Sequence, residues 1–97
     1  MLLAIDIGNS SIKFGVFDGE TLLSKFSIPT TRGLTVDDLE FAIGRSLDLP
    51  ISSAIACSVV PELDSPLRTF LKTAHGVDAF FVANDFPFGL GVKSEPI

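Results

Sequence analysis

Asp6, Gly8, Asn9, Ser10, Ser11 and Lys13 bring a carboxylate, a glycine, an amide, two hydroxyls and an ammonium group into one short stretch near the amino terminus. The apolar run Leu2, Leu3, Ala4 and Ile5 precedes them, and a short run closed by a turn signal is the pattern of a strand covered on both faces. A carboxylate at the end of such a strand loses hydration and needs a hydrogen-bond donor or a metal ion in compensation. Gly8 opens backbone angles closed to other residues and lets a ligand approach the main chain. Asn9, Ser10 and Ser11 add polar side chains and a row of N–H groups able to form a concave anion site, for which phosphate is the natural ligand. Asp6 would hold a hydrated magnesium ion bridging the phosphates, since magnesium keeps most of its waters and takes one or two carboxylates. Lys13 would bring a point charge to the same phosphates. The same residues also make an ordinary hairpin turn, with Asp6 accepting from turn amides and Lys13 facing solvent.

The elements around this turn follow from pattern. Ile12 to Phe17 and Thr21 to Ile28 read as strands joined by Asp18-Gly19, a strong hairpin signal, so three antiparallel strands come first. Alternation puts Ile12, Phe14 and Val16 on one face of the second strand and Lys13, Gly15 and Phe17 on the other. Thr35 with Asp38 resembles a capping box at the start of a helix running to about Leu47, with Val36, Leu39, Ile43 and Leu47 as its buried stripe. Asp37 and Asp38 are adjacent on that helix and serve capping and the helix dipole better than acid chemistry. Ala54 to Val60 is apolar throughout, as in a central parallel strand buried on both faces. Ser65-Pro66 reads as cap and first residue of a second helix with Leu67, Phe70, Leu71 and Ala74 inward and Gly76 at its end. His75 in the last turn suits the helix carboxyl end rather than catalysis. Val77 to Val82 reads as a fifth strand. The tail from Asn84 to Ile97 carries Phe86, Phe88, Leu90 and Val92, too apolar for a solvated linker and expected to pack on a neighbouring chain or be disordered.

Composition narrows the classes. A chain of 97 residues supports one modest core, yet 46% of its residues are hydrophobic, nine of them phenylalanine. Part of that apolar surface is expected to meet a partner. A net charge of −5 offers no basic surface to nucleic acid or anionic lipid. The single cysteine, Cys57, lies in an apolar run and reads as a small buried core residue. It precludes an internal disulfide and fits a reducing compartment. With no basic leader before Asp6 and no apolar run long enough to span a bilayer, the expected location is cytoplasmic.

Several motifs together resemble one family. Asp6-Ile7-Gly8-Asn9-Ser10, with Lys13 and Gly15, is similar to the D-x-G-N-[TS] nucleotide-phosphate motif of type III pantothenate kinases, the Bvg accessory factor family. Ile28-Pro29-Thr30-Thr31-Arg32 with Leu34-Thr35-Val36-Asp37-Asp38 resembles the family's passage from third strand to first helix. Ser58-Val59-Val60-Pro61-Glu62-Leu63 resembles its S-V-V-P-x-L turn, and Gly91-Val92-Lys93-Ser94 its G-[VI]-K-[TS] segment. Ser10 stands where many members have threonine, and Glu62 where a second proline is frequent. The likeness runs in order along the chain but stops at Ile97, before the family's G-x-D-R segment, which carries the catalytic aspartate and pantothenate contacts. The chain thus looks like the first third of the enzyme.

The resemblance implies an α/β fold: the ribonuclease-H-like half domain of the actin, Hsp70 and sugar-kinase superfamily, with three antiparallel strands followed by helix, strand, helix, strand. Residues 1–85 would form that nucleotide-phosphate-binding subdomain and 86–97 an apolar tail leading to a second part. The implied site for ATP phosphates is Asp6, Ile7, Gly8, Asn9, Ser10, Ser11, Ile12 and Lys13, with Asp6 holding Mg2+ through water. In the intact enzyme ATP would phosphorylate pantothenate for coenzyme A biosynthesis, within a homodimer using K+ or NH4+. The catalytic aspartate would lie beyond Ile97, and this chain alone would be inactive. The other reading is a stand-alone nucleotide-binding or regulatory module without catalysis.

Overall fold

The computed structural model describes residues 1–82. Five strands form one mixed sheet in the order β3-β2-β1-β4-β5. β1 (Leu2–Ile7), β2 (Ser11–Asp18) and β3 (Thr21–Pro29) make an antiparallel meander. β4 (Ser53–Ser58) lies parallel to β1 and β5 (Ala79–Phe81) parallel to β4. α1 (Val36–Ile43) joins β3 to β4, and α2 (Asp64–His75) joins β4 to β5. The expected order of elements is the observed one. The meander closes at Gly19 and Glu20, between the register partners Asp18 and Thr21, with Gly19 at φ 62° where a side chain would be strained.

The core lies on one face of the sheet. Leu3, Ile5, Ile7, Ile12, Phe14, Val16, Ala54 and Ala56 alternate onto it and meet Leu39, Ile43, Leu67, Phe70 and Leu71 from the helices. Phe14 and Phe26, cross-strand partners, stack with centroids 4.8 Å apart and so extend this layer toward the β3 edge. A bulge between Val16 and Phe17 leaves Leu23 without a register partner and sets Leu22 opposite Phe17.

The other face corrects the sequence reading. β1 and β4 were expected to be covered on both sides, but Asp6, Ile55 and Cys57 are exposed between buried neighbours, and Leu2 is exposed beside buried Leu3. The described helices contribute to a single core, so alternate side chains of every strand face outward. Cys57 is accordingly an exposed thiol and not a core residue.

Helix ends explain the remaining differences. Thr35 makes the anticipated capping box with Asp38, its hydroxyl accepting from the Asp38 N–H at 3.1 Å. The α-helix ends at Ile43 rather than near Leu47, although Leu47 is still buried. β4 stops at Ser58, and Pro61–Leu63 form a short 3-10 turn instead of following a longer strand directly. That turn runs straight into α2, so Leu63 is the N-cap residue, Ser65 lies inside the helix, and no side chain caps it. Ala74 is exposed rather than inward. Gly76 does close α2 in the left-handed conformation, at φ 67°. β5 is shorter than the Val77 to Val82 run expected. The tail with Phe86, Phe88, Leu90 and Val92, through to Ile97, lies outside the described residues.

Candidate functional site

The turn between β1 and β2 is held by main-chain bonds on three sides. Gly8 N–H donates to the Ser11 carbonyl at 3.0 Å, closing the hairpin. On the β4 side, Val59 N–H donates to the Ile7 carbonyl at 3.0 Å. From the end of β3, Thr30 N–H donates to the Ser10 carbonyl at 3.0 Å and Thr30 Oγ1 to the Gly8 carbonyl at 2.6 Å. Among the described residues no bond engages the N–H groups of Asn9 or Ser10. An exposed turn with free donors is what an anion site needs, because the ligand then replaces water rather than a protein partner.

The structure gives Gly8 a different reason from the one expected. Its φ is not positive; a Cβ there would instead lie 3.2 Å from the Ser11 carbonyl oxygen. Close approach of two backbone segments, not an unusual backbone angle, is what the missing side chain allows.

Asp6 and Lys13 are register partners across β1 and β2, and Asp6 pairs in register with Cys57 of β4. All are exposed on the open face. Together with Ala4, Gly15, Phe17 and Leu22 they line an open cleft of about 750 Å³ along the sheet. A Cβ on Gly15 would sit 3.2 Å from the Phe17 ring, so the glycine gives that ring its room and keeps the cleft floor low. Ile7 and Ile12 are fully buried, so only their main chains can face a ligand. Ser10 and Asn9 project from the turn itself, and Ser11 is half-buried where β2 begins.

The loops behind the turn are also joined. Arg32, after β3, pairs with Glu62 of the 3-10 turn after β4. Hydrogen bonding to the Glu62 backbone, then to the Arg32 side chain, lowers the Glu62 carboxyl below the ordinary glutamate value. His75 stands apart from this group, at the end of α2 with its ring edge-on to Phe70 at 6.1 Å. Among the described residues no group of three or more His, Cys, Asp or Glu could cage a metal ion. Asp6, an exposed carboxylate beside the turn, could instead hold a hydrated magnesium ion, which takes one or two carboxylates.

Sequence reasoning missed Thr30 and Cys57. Thr30 stood only within a motif, and no local signal separates a threonine that anchors a turn from one that merely ends a strand. Cys57 could have been placed by alternation from Ala56 and Ser58, had one sheet face been known to be open.

The fold recurs in solved structures. A ROK hexokinase from Thermus thermophilus matches with a TM-score of 0.58 at 24% identity, over 84% of this chain and 34% of its own. A Listeria monocytogenes N-acetylmannosamine kinase candidate matches with a TM-score of 0.53 at 17% identity, over 86% of this chain and 35% of its own. These likenesses show that the sheet and helices share their fold with about a third of each of those two chains.

Sequence carries the assignment further: the profile of the family described as type III pantothenate kinase matches residues 2–96, and the chain belongs to that family. The type III pantothenate kinase of Desulforapulum autotrophicum is 40% identical over 76 residues, 72% of this chain and 29% of the relative. That of Dehalococcoides mccartyi is 31% identical over 99 aligned positions, 96% of this chain and 35% of the relative. The chain spans about a third of the length of these relatives. No helix among the described residues is long and apolar enough to cross a membrane.

Proposed function

We propose that this chain forms the ATP-phosphate end of a pantothenate kinase, the intact protein transferring the γ-phosphoryl group of ATP to the pantothenate hydroxyl for coenzyme A synthesis. The observation that carries the reading is the turn after β1, where the N–H groups of Asn9 and Ser10 are unengaged and the hairpin next to the turn pairs residues of opposite charge, Asp6 and Lys13. In phosphoryl transfer the protein contributes chiefly positioning and charge stabilisation. Gly8 to Ser11 bind phosphate oxygens through the main chain and hydroxyls, and Lys13 offsets the charge that moves toward the leaving oxygen. Asp6 would hold Mg2+, which when bound would supply neutralisation of phosphate charge. Ile7 and Ile12 fix the two ends of the turn from the core.

The acceptor side is not carried by these residues, since no G-x-D-R segment occurs between Met1 and Ile97. The catalytic aspartate that the family resemblance implies belongs to the intact enzyme, beyond Ile97, and no residue of this chain takes its place in the proposal. The subdomain of residues 1–85, the tail of 86–97 and the cytoplasmic setting belong to the same proposal. So do a homodimer and a monovalent cation, K+ or NH4+, in the intact enzyme, which rest on the family resemblance.

Calorimetry with a non-hydrolysable ATP analogue and Mg2+ tests the reading. The expected dissociation constant for the 97-residue chain is on the order of a millimolar, about −4 kcal/mol, because one half domain supplies one wall of a nucleotide cleft. Asp6→Ala and Lys13→Ala should each weaken binding, and pantothenate phosphorylation by this chain alone should be undetectable. Analogue binding indifferent to both substitutions would overturn the assignment of the turn.

A further inference from the structure

Thr30 is the residue outside the β1 to β2 hairpin that grips its turn twice. Its hydroxyl donates to the Gly8 carbonyl at 2.6 Å, across 22 positions of sequence, and its N–H donates to the Ser10 carbonyl at 3.0 Å. The side chain is part-buried, so water competes weakly for the Gly8 oxygen. Pro29, paired with Ser11 at the end of β3, has no N–H, and Thr30 therefore supplies the first donor after the strand.

A trans peptide unit is planar, with its carbonyl and N–H pointing in opposite directions. Fixing the Gly8 oxygen toward Thr30 thus turns the Asn9 N–H away from Thr30. Fixing the Ser10 oxygen does the same for the Ser11 N–H. Carbonyl oxygens, which would repel a phosphate, are drawn to the β3 side, while N–H groups are left on the other.

We infer that Thr30 is a positioning residue for the anion site: by holding the Gly8 and Ser10 carbonyls it aims the N–H groups of Asn9 and Ser11 at the phosphates of a nucleotide. The inference rests on the phosphate reading of the turn, and it assigns Thr30 no contact with the ligand.

The test uses the full 97-residue chain and the variants Thr30→Val and Thr30→Ser. Valine keeps the shape and the backbone N–H but removes the hydroxyl donor; serine restores the donor. Mg-ATP affinity is measured by titration where every variant is fully folded, and amide exchange is followed by NMR. Losing one part-buried hydrogen bond should weaken Mg-ATP binding roughly five- to tenfold in Thr30→Val and speed exchange at the Gly8 amide by a similar factor. Thr30→Ser should stay within about twofold of wild type on both readouts, and amides of α2 should exchange unchanged in both variants. A merely structural role would slow or speed α2 as well and leave the affinity of the folded protein untouched. Unchanged turn exchange in Thr30→Val, or unchanged affinity in a wild type that binds, overturns the role of Thr30. A wild type that fails to bind overturns the phosphate reading, and the aiming function falls with it, whatever exchange shows of the grip on the turn.

Discussion

Asp6 and Lys13 lie opposite one another on adjacent antiparallel strands and do not form an ion pair. The ion pairs among the described residues are Arg32 with Glu62 and Lys72 with Asp78. Direct cross-strand neighbours of opposite charge can bridge at little cost, so two that leave the space between them open keep both charges available to a third party. Lys13→Ala should weaken Mg-ATP binding on the order of tenfold, the cost of a charge-assisted hydrogen bond. Lys13→Arg should recover part of that loss. Titrations at rising salt should also show a shallower dependence in Lys13→Ala, because one screened attraction is gone.

Cys57 beside Asp6 gives a reagent-based check of the open sheet face. The exposed thiol should react stoichiometrically with an aromatic disulfide reagent in the native protein, at a rate unaffected by mild denaturant. The bulky adduct should then reduce Mg-ATP binding, since Cys57 and Asp6 are register partners in the same cleft. A thiol that reacts only on unfolding would contradict the exposed position.

Gly8→Ala should strain the turn without forcing a forbidden backbone angle. The added methyl meets the Ser11 carbonyl oxygen at 3.2 Å, and that atom is main chain, already holding the Gly8 N–H. Urea unfolding should show a loss of about 1 to 2 kcal/mol, within the range for mild overpacking. Nucleotide binding should fall by more than stability alone explains, because the turn would open at the proposed phosphate site.

Glu62 sets an acid-side dependence on the loops behind the turn. Its carboxyl is held below the ordinary glutamate value by its own backbone and by Arg32. A group with a depressed folded pKa binds fewer protons when folded, so its contribution is complete above the unfolded pKa and is lost as pH falls through the folded one. The NMR titration of the Glu62 carboxyl should therefore shift upward in Arg32→Ala. Any stability difference between that variant and wild type should be present at neutral pH and vanish in acid.

The strand order was legible because each element carries its own punctuation. Asp18-Gly19 closes the meander, Thr35 and Asp38 cap α1, and Gly76 ends α2. Leu39 and Ile43 on the inward side of α1 and the two faces of β2 followed from periodicity alone. What could not be read was coverage. Leu2, Ala4 and Ile55 are apolar on a face that the described residues leave uncovered, and nothing in a run of apolar residues distinguishes a covered strand from a half-covered one. Cys57 was misplaced for that reason. At the site, Asp6, Gly8 and Lys13 were visible as residue types at a strand end, whereas the grip of Thr30 depends on β3 returning beside β2 and has no trace in local sequence.

β1 belongs to two kinds of partnership, and this orders events in time. Its antiparallel pairing with β2 joins residues close in sequence, down to Ile7 with Ile12. Its parallel pairing with β4 must close a loop spanning |i−j| = 51, tied at its end by the Ser52 side chain and Met1. Local contacts cost little chain entropy and form early, while distant ones wait until loop closure is repaid by packing. The hairpin turn can thus appear while the chain is still expanded, but the Ile7 carbonyl receives Val59 and Asp6 gains its neighbour Cys57 only when β4 docks. During refolding, nucleotide affinity should emerge with the slowest phase and not with the first appearance of strand signal.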